Sequence, residues 1–188
     1  MLCEKSIALS YSEFSEMRAV AEEYGVVLLE AMRPTFDPML KIVKSAILII
    51  GKIRRASFTF CQYSSHYDKF KMGIVENAFD PSIGNSALWD IGVYPLWLGV
   101  ELFGEPKSLI SKKIYLENSF LGMGESILYY GDKLVSVSYS KINDSPVSSV
   151  VEGELGSIID KITEPSRISI AIRGEPERKL LIRSRKTI

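Results

Sequence analysis

A chain of 188 residues with 46% hydrophobic side chains is long enough to bury a substantial core, so one large domain, or one domain plus a fragment, is expected. Lysine plus arginine number 23, as do aspartate plus glutamate, so no net field recommends nucleic acid or an anionic membrane, and neither is expected as a partner. A small molecule or another protein chain is expected instead. The two cysteines, Cys3 and Cys61, and the single His66 lack metal-ligand spacing, so no metal site is expected and both thiols read as reduced in a cytoplasmic protein. Apolar runs such as Ala46 to Ile50 and Val93 to Leu98 fall well short of the ~20 residues a membrane span requires, and the first residues do not read as a secretory signal.

Taken in order, Met1 to Cys3 reads as a strand and Ser10-Tyr11-Ser12-Glu13 as a capping box that opens a helix. Phe14, Met17, Ala21 and Tyr24 recur at helical spacing, and Gly25 supplies a left-handed stop. Val26 to Leu29 is apolar without alternation, the mark of a parallel strand covered on both faces. Such a strand-helix-strand unit cannot stand alone, because two parallel strands bury too little. Asp37 then caps and Pro38 opens a helix through about Ala46, with Leu40, Val43 and Ile47 inward and Gly51 ending it. Arg54 to Gln62 alternates Ser57, Thr59 and Cys61 against Phe58, Phe60 and Gln62, as a strand does. Tyr63 to Asn85 is polar and turn-rich with little periodicity. It reads as a long loop, often a functional element, with His66 as a solvent-exposed loop histidine in preference to a substrate contact.

Ser86 to Leu96 reads as an apolar helix carrying two ionisable groups, Asp90 and Tyr94. At about 100° per residue, a spacing of four returns both to one face within about 40°, so an acid and a phenol share a patch. Trp89 and Trp97 read as core or pocket wall. After Gly104 the pattern changes to period two: Ser108–Leu116, Glu125–Tyr130, Lys133–Lys141, Val147–Glu152, Ser157–Lys161, Arg167–Ile172 and Lys179–Arg185. The turns between them include Gly131-Asp132 and Gly174-Glu175-Pro176. This is an antiparallel meander with one face on helices, its other face carrying Ser, Thr, Tyr and some aliphatics suited to packing against a second copy. Gly122-Met123-Gly124 lies among strand-like residues and reads as a loop or bulge rather than a phosphate cradle. The basic end, Arg178 to Lys186, reads as edge-strand charge.

Three stretches carry a family resemblance: Cys3-Glu4-Lys5, then Glu30-Ala31-Met32-Arg33-Pro34-Thr35-Phe36-Asp37-Pro38, then Ser86-Ala87-Leu88-Trp89-Asp90-Ile91-Gly92-Val93-Tyr94-Pro95-Leu96. They resemble the glucose-fructose oxidoreductase, inositol dehydrogenase and MocA family (Gfo/Idh/MocA), in the branch that, like dihydrodiol dehydrogenase, carries Tyr where inositol dehydrogenases carry His. Ser6 stands where that family usually has Pro after its Glu-Lys pair. The resemblance implies an α+β fold: an open, mainly antiparallel sheet with helices on one face, like the C-terminal domain of dihydrodipicolinate reductase, preceded by a residual β-α-β piece of a Rossmann fold. Residues 1–33 would be that remnant of the dinucleotide-binding domain, and residues 34–188 the C-terminal domain for substrate binding and oligomerisation.

The resemblance further implies NAD or NADP as cofactor, a sugar, cyclic polyol or dihydrodiol as substrate, and a homodimer or higher assembly through the sheet. Removing a hydride from a carbinol carbon requires its hydroxyl proton to leave as well, so a base must sit on that oxygen. By resemblance Lys5 matches the catalytic lysine, Tyr94 the acid/base tyrosine, and Asp90 the carboxylate that orients substrate. Glu4, Lys5 and Arg33 match positions lining the nicotinamide end and substrate pocket. Read without the family, Lys5 is a surface lysine after a strand, Glu4 a solvated charge, and Arg33 a partner of Asp37 or Glu30. Two classes stay open: an NAD(P)-dependent oxidoreductase acting on CH–OH, present as a C-terminal part that does not turn over alone, and a non-catalytic dimerisation or interaction module descended from one.

Overall fold

A computed structural model of the chain describes residues 1–160 and 167–181. Strands β1 (Leu2–Cys3) and β2 (Leu29–Glu30) pair in parallel around α1 (Tyr11–Glu23). The capping box forms as the sequence implies: the Glu13 amide donates to the Ser10 hydroxyl at 3.2 Å, and the Ser10 amide donates to the Glu13 carboxylate at 3.1 Å. The run Val26 to Leu29 corrects an expectation, because it is not covered on both faces. Of the four only Leu29 lies in β2, and Val26, Val27 and Leu29 are exposed, with β1 the sole strand beside it among the described residues.

Helix α2 (Pro38–Ile47) starts where Asp37 and Pro38 predict, with the Met39 amide donating to the Asp37 carboxylate at 2.8 Å. Asp37→Ala is expected to cost about 1 kcal/mol, read as a lower denaturant midpoint at unchanged slope. An unmoved midpoint would show that water replaces the cap at no loss.

The main sheet has eight strands: β3 (Ile53–Cys61), β4 (Ser108–Tyr115), β5 (Leu121–Tyr129), β6 (Leu134–Ser140), β7 (Ser149–Gly153), β8 (Gly156–Asp160), β9 (Arg167–Ile172) and β10 (Arg178–Leu181). Their order is β10-β9-β8-β7-β3-β6-β5-β4. Every neighbour is antiparallel except β3 and β6, which run parallel with Phe58 opposite Val137 and Phe60 opposite Tyr139. That register puts Ala56, Phe58, Val135, Val137, Tyr139 and Leu128 on one face, where they form the core with Met39 and Val43 of α2. On the opposite face Ile110 lies across from Ile127 and Tyr129 across from Leu134, all four exposed, and Arg55 pairs with Glu152 at 2.6 Å. This is the α+β arrangement expected, with one correction: the alternating stretches after Gly104 do not form one antiparallel meander, because β3 inserts between β6 and β7 and runs parallel to β6. Gly122 lies at the register shift where Ile114 and Tyr115 meet Met123 and Leu121, so the Gly-x-Gly stretch is a bulge in β5. β10 is an edge strand; residues 161 and 182–186 of the expected strands and basic end lie outside the described residues.

Two further expectations are corrected. The segment Tyr63 to Asn85 is not an irregular loop, since it contains α3 (Ser65–Lys71) and two short 3-10 turns, Asn77–Phe79 and Pro81–Ile83. Ser64 starts α3 by accepting the His66 amide at 3.3 Å, and Phe79 anchors the segment through its stack on Phe120, 4.5 Å between centroids. The helix expected from Ser86 to Leu96 begins instead as a π-turn, Leu88–Gly92, and becomes α4 (Val93–Phe103) only afterwards. Gly92 lies against the buried Tyr139 ring, where an added Cβ would come within 2.7 Å. That contact lets the backbone of the turn rest directly on the sheet.

Candidate active site

Turns of π type recur at functional sites, and here the turn directs backbone oxygens at a side chain from the far end of the sequence. Lys5 follows β1, and its ammonium donates to the carbonyl of Asp90 and, at 3.5 Å, to that of Trp89. Ser6 donates from its hydroxyl to the same Trp89 carbonyl at 3.3 Å. The Ile7 amide donates to the Glu30 carboxylate at 2.9 Å, which ties the segment carrying Lys5 to the end of β2. The Lys5–Ser6 peptide is cis.

The Lys5 ammonium also lies 3.2 Å from one oxygen of the Asp90 carboxylate and 5.2 Å from the centroid of the Tyr94 ring. Three residues singled out in the sequence, Lys5, Asp90 and Tyr94, thus meet at one place although Lys5 is 85 positions from Asp90. Tyr94 is half-buried and packs on Phe60 of β3, ring centroids 5.8 Å apart. Glu4 and Arg33 are exposed; the structure does not join them to this cluster, nor pair Arg33 with Asp37 or Glu30 among the described ion pairs.

Sequence reasoning missed a fourth residue. Lys141, directly after β6, lies 2.8 Å from the other oxygen of the Asp90 carboxylate, so one carboxylate bridges two ammonium groups. A signal for it existed: Val135, Val137, Tyr139 and Lys141 share the period-two phase of β6, which points a lysine toward the core face. Half-burial alone would push the Asp90 carboxyl up, but Lys141 foremost and then Lys5 hold it below the usual carboxylate range. A carboxylate depressed in this way contributes stability at pH values above its unfolded value, near ~3.9, and loses that contribution as pH falls through the lower folded value.

Beside Asp90 a cleft of about 380 Å³ opens between the π-turn and α3. Asp90 and Lys141 line it together with Gln62, Ser65 and His66; Lys5 and Tyr94, beside Asp90, are not among its lining residues. His66 is therefore not a free loop histidine. It sits on α3, half-buried, with its Nδ1 paired to Glu76, which Lys69 and then His66 hold below the usual carboxylate range. The Cys61 thiol is pushed up by burial and then by the Glu125 and Asp144 charges, so it is a weak nucleophile, and both cysteines are free. Among the described residues no helix is long and apolar enough to cross a membrane.

No protein-family model matches the chain. Scyllo-inositol 2-dehydrogenase (NADP(+)) IolU of Bacillus subtilis is 42% identical over 174 residues, which is 92% of this chain and 53% of that protein. Trans-1,2-dihydrobenzene-1,2-diol dehydrogenase of Xenopus tropicalis is 29% identical over 184 residues, 95% of this chain and 53% of that protein. An inositol dehydrogenase homologue from Azotobacter vinelandii, solved with NAD+, superposes with a TM-score of 0.81 at 20% identity over 96% of this chain and 50% of that one. The open sheet, with its π-turn and helix laid across one face, is the α+β fold of these oxidoreductases. These relatives and this fold bear out the resemblance to the glucose-fructose oxidoreductase, inositol dehydrogenase and MocA family, and the chain spans about half the length of the curated relatives it matches.

Proposed function

We propose that this chain supplies the substrate-side acid–base machinery of an NAD(P)-dependent dehydrogenase acting on a CH–OH carbon of a cyclic polyol, sugar or dihydrodiol. The observation that carries the reading is the convergence of Lys5, Asp90 and Tyr94, with the Lys5 ammonium 3.2 Å from the carboxylate and 5.2 Å from the phenol ring. Lys5, as the free amine, takes the carbinol proton; the Tyr94 hydroxyl relays or returns it; Asp90 orients the substrate hydroxyl and the lysine together. A bound nicotinamide would supply the hydride acceptor. Lys5, beside Asp90 and Tyr94, suits its reactive end, and by the family resemblance Glu4 and Arg33 would line the same end, although in this structure both are exposed and stand apart from the Lys5 cluster. The residues present do not fit its phosphates, because Gly124 of the Gly-x-Gly stretch is closed over by the Tyr139 side chain. In this reading residues 1–33 belong with the dinucleotide-binding part and residues 34–188 bind substrate and assemble copies. The polar residues Gln62, Ser65 and His66 that line the cleft suit a ligand with several hydroxyl groups.

The test is to supply the nucleotide-binding half of a relative as a separate chain and follow NAD(P)H formation from cyclic polyols and dihydrodiols. Turnover is expected only in the mixture, and the 188-residue chain alone is expected to bind NAD(H) more weakly than about 1 mM by calorimetry, since its one Gly-x-Gly stretch is closed to a phosphate. Saturable millimolar binding by the chain alone would overturn this division of labour. A second reading, a non-catalytic homodimerisation module, is favoured by the exposed apolar residues Ile110, Ile127 and Leu134 on the open sheet face. A dimeric mass with no turnover in the mixture would select it.

A further inference from the structure

We propose that Lys141 is the positioning residue that holds the Asp90 carboxylate in place, leaving Lys5 free to exchange its proton; the catalytic half of this statement rests on the function proposed above. Lys141 is only 7% exposed. Its ammonium lies 5.2 Å from the Phe79 ring centroid and 5.8 Å from that of Phe120, and it donates to the Ala78 carbonyl at 3.2 Å and to Asp90 at 2.8 Å. A buried ammonium needs a counter-charge, and Asp90 is its one carboxylate partner among the described residues. Its amide is tied to the Gly122 carbonyl at 2.9 Å, so both ends of the side chain are fixed.

Lys5 stands differently. Its contact to the Asp90 carboxylate is longer, at 3.2 Å, and its ammonium also rests on the carbonyls of Trp89 and Asp90. A carboxylate held only by Lys5 would lose its anchor whenever Lys5 became a neutral amine. With Lys141 on the second oxygen, Asp90 keeps both its aim and its charge through that step. The titratable groups around Asp90 are Lys5 after β1, Lys141 after β6, His66 of α3, which lines the same cleft, and Tyr94 four residues on in α4.

The experiment is a carbon-13 NMR titration of the Asp90 carboxyl in the full chain, wild type and Lys141→Met, Lys141→Arg and Lys5→Met. Lys141→Met is expected to raise the midpoint by about one to three pH units, Lys5→Met by less, and Lys141→Arg to leave it near wild type. A larger shift in Lys5→Met than in Lys141→Met would overturn the proposal. So would equal shifts in Lys141→Arg and Lys141→Met, which would assign the effect to packing against Phe79 and Phe120. If Lys141→Met does not fold, Lys141→Gln is read in its place; failure of both to fold while Lys141→Arg folds would make Lys141 a tie of the fold, and the proposal would fall. The titration uses neither cofactor nor substrate, so its outcome is independent of whether the oxidoreductase reading survives.

Discussion

Lys5→Ala is expected to lower kcat/KM for NAD(P)-dependent alcohol oxidation in the two-chain mixture by about 10²- to 10⁴-fold, the range that a positioned acid–base group supplies. Alanine removes the only cation among the described residues that reaches the Asp90 carboxylate and the Tyr94 ring together. Tyr94→Phe keeps the packing on Phe60 and removes only the hydroxyl, so it tests the proposed proton relay separately from the fold. The two variants are expected to share most of their loss, because residues that act as one unit are strongly non-additive. Steady-state kinetics on the single and double variants read this directly. Turnover unchanged in both would remove Lys5 and Tyr94 from the chemistry.

The largest expected effect on stability belongs to Tyr139. Tyr139 is 1% exposed, with the Cγ end of its ring against Gly92 of the π-turn and its hydroxyl end against Gly124 of β5. Burial, with a smaller push from Tyr115, raises its hydroxyl to about 12, so it stays neutral at any physiological pH. Tyr139→Ala is expected to cost about 3–5 kcal/mol through the cavity left in a close-packed interior. Gly92→Ala is expected to cost about 1–3 kcal/mol by overpacking, since the new Cβ would meet the ring at 2.7 Å and the ring has nowhere to go. Because Gly92 lies two residues from Asp90, the same change should also disturb the Asp90 carboxyl signal. Denaturant unfolding of both variants checks the order; a Gly92→Ala protein as stable as wild type would show that the π-turn does not depend on this contact.

Much of the architecture was legible because its local chemistry is explicit. Ser10 with Glu13, and Asp37 with Pro38, announced two helix starts, and the alternation after Gly104 announced the strands. What escaped has physical reasons. α3 spans seven residues, under two turns, too few for a period to show. The π-turn has no composition of its own; it rests a glycine on a tyrosine 47 positions later, Gly92 against Tyr139. Val26 to Leu29 looked like a doubly covered strand because a run of aliphatics carries no record of how many neighbours it has. In the site, Lys5, Asp90 and Tyr94 were found through wording shared with a family, whereas periodicity alone offered only Asp90 with Tyr94. Lys141 was missed because a lysine at a strand's end reads as solvent-facing unless its phase is counted.

The place of β3 sets how the chain must assemble. Strands β4 to β6 and β7 to β10 each form from hairpins between sequence neighbours, which close quickly because short loops cost little entropy. β3 is made first, yet it lies between β6 and β7 and draws its register from residues up to 100 positions later. On a ribosome it must wait, unpaired and rich in aromatics, until both meanders have emerged. Its pairings are the longest-range contacts of the sheet, so its insertion is the expected slow step, and it joins two ribbons into one sheet. Substitutions such as Phe58→Leu should therefore slow refolding more than they speed unfolding, whereas changes at β10 should do the reverse.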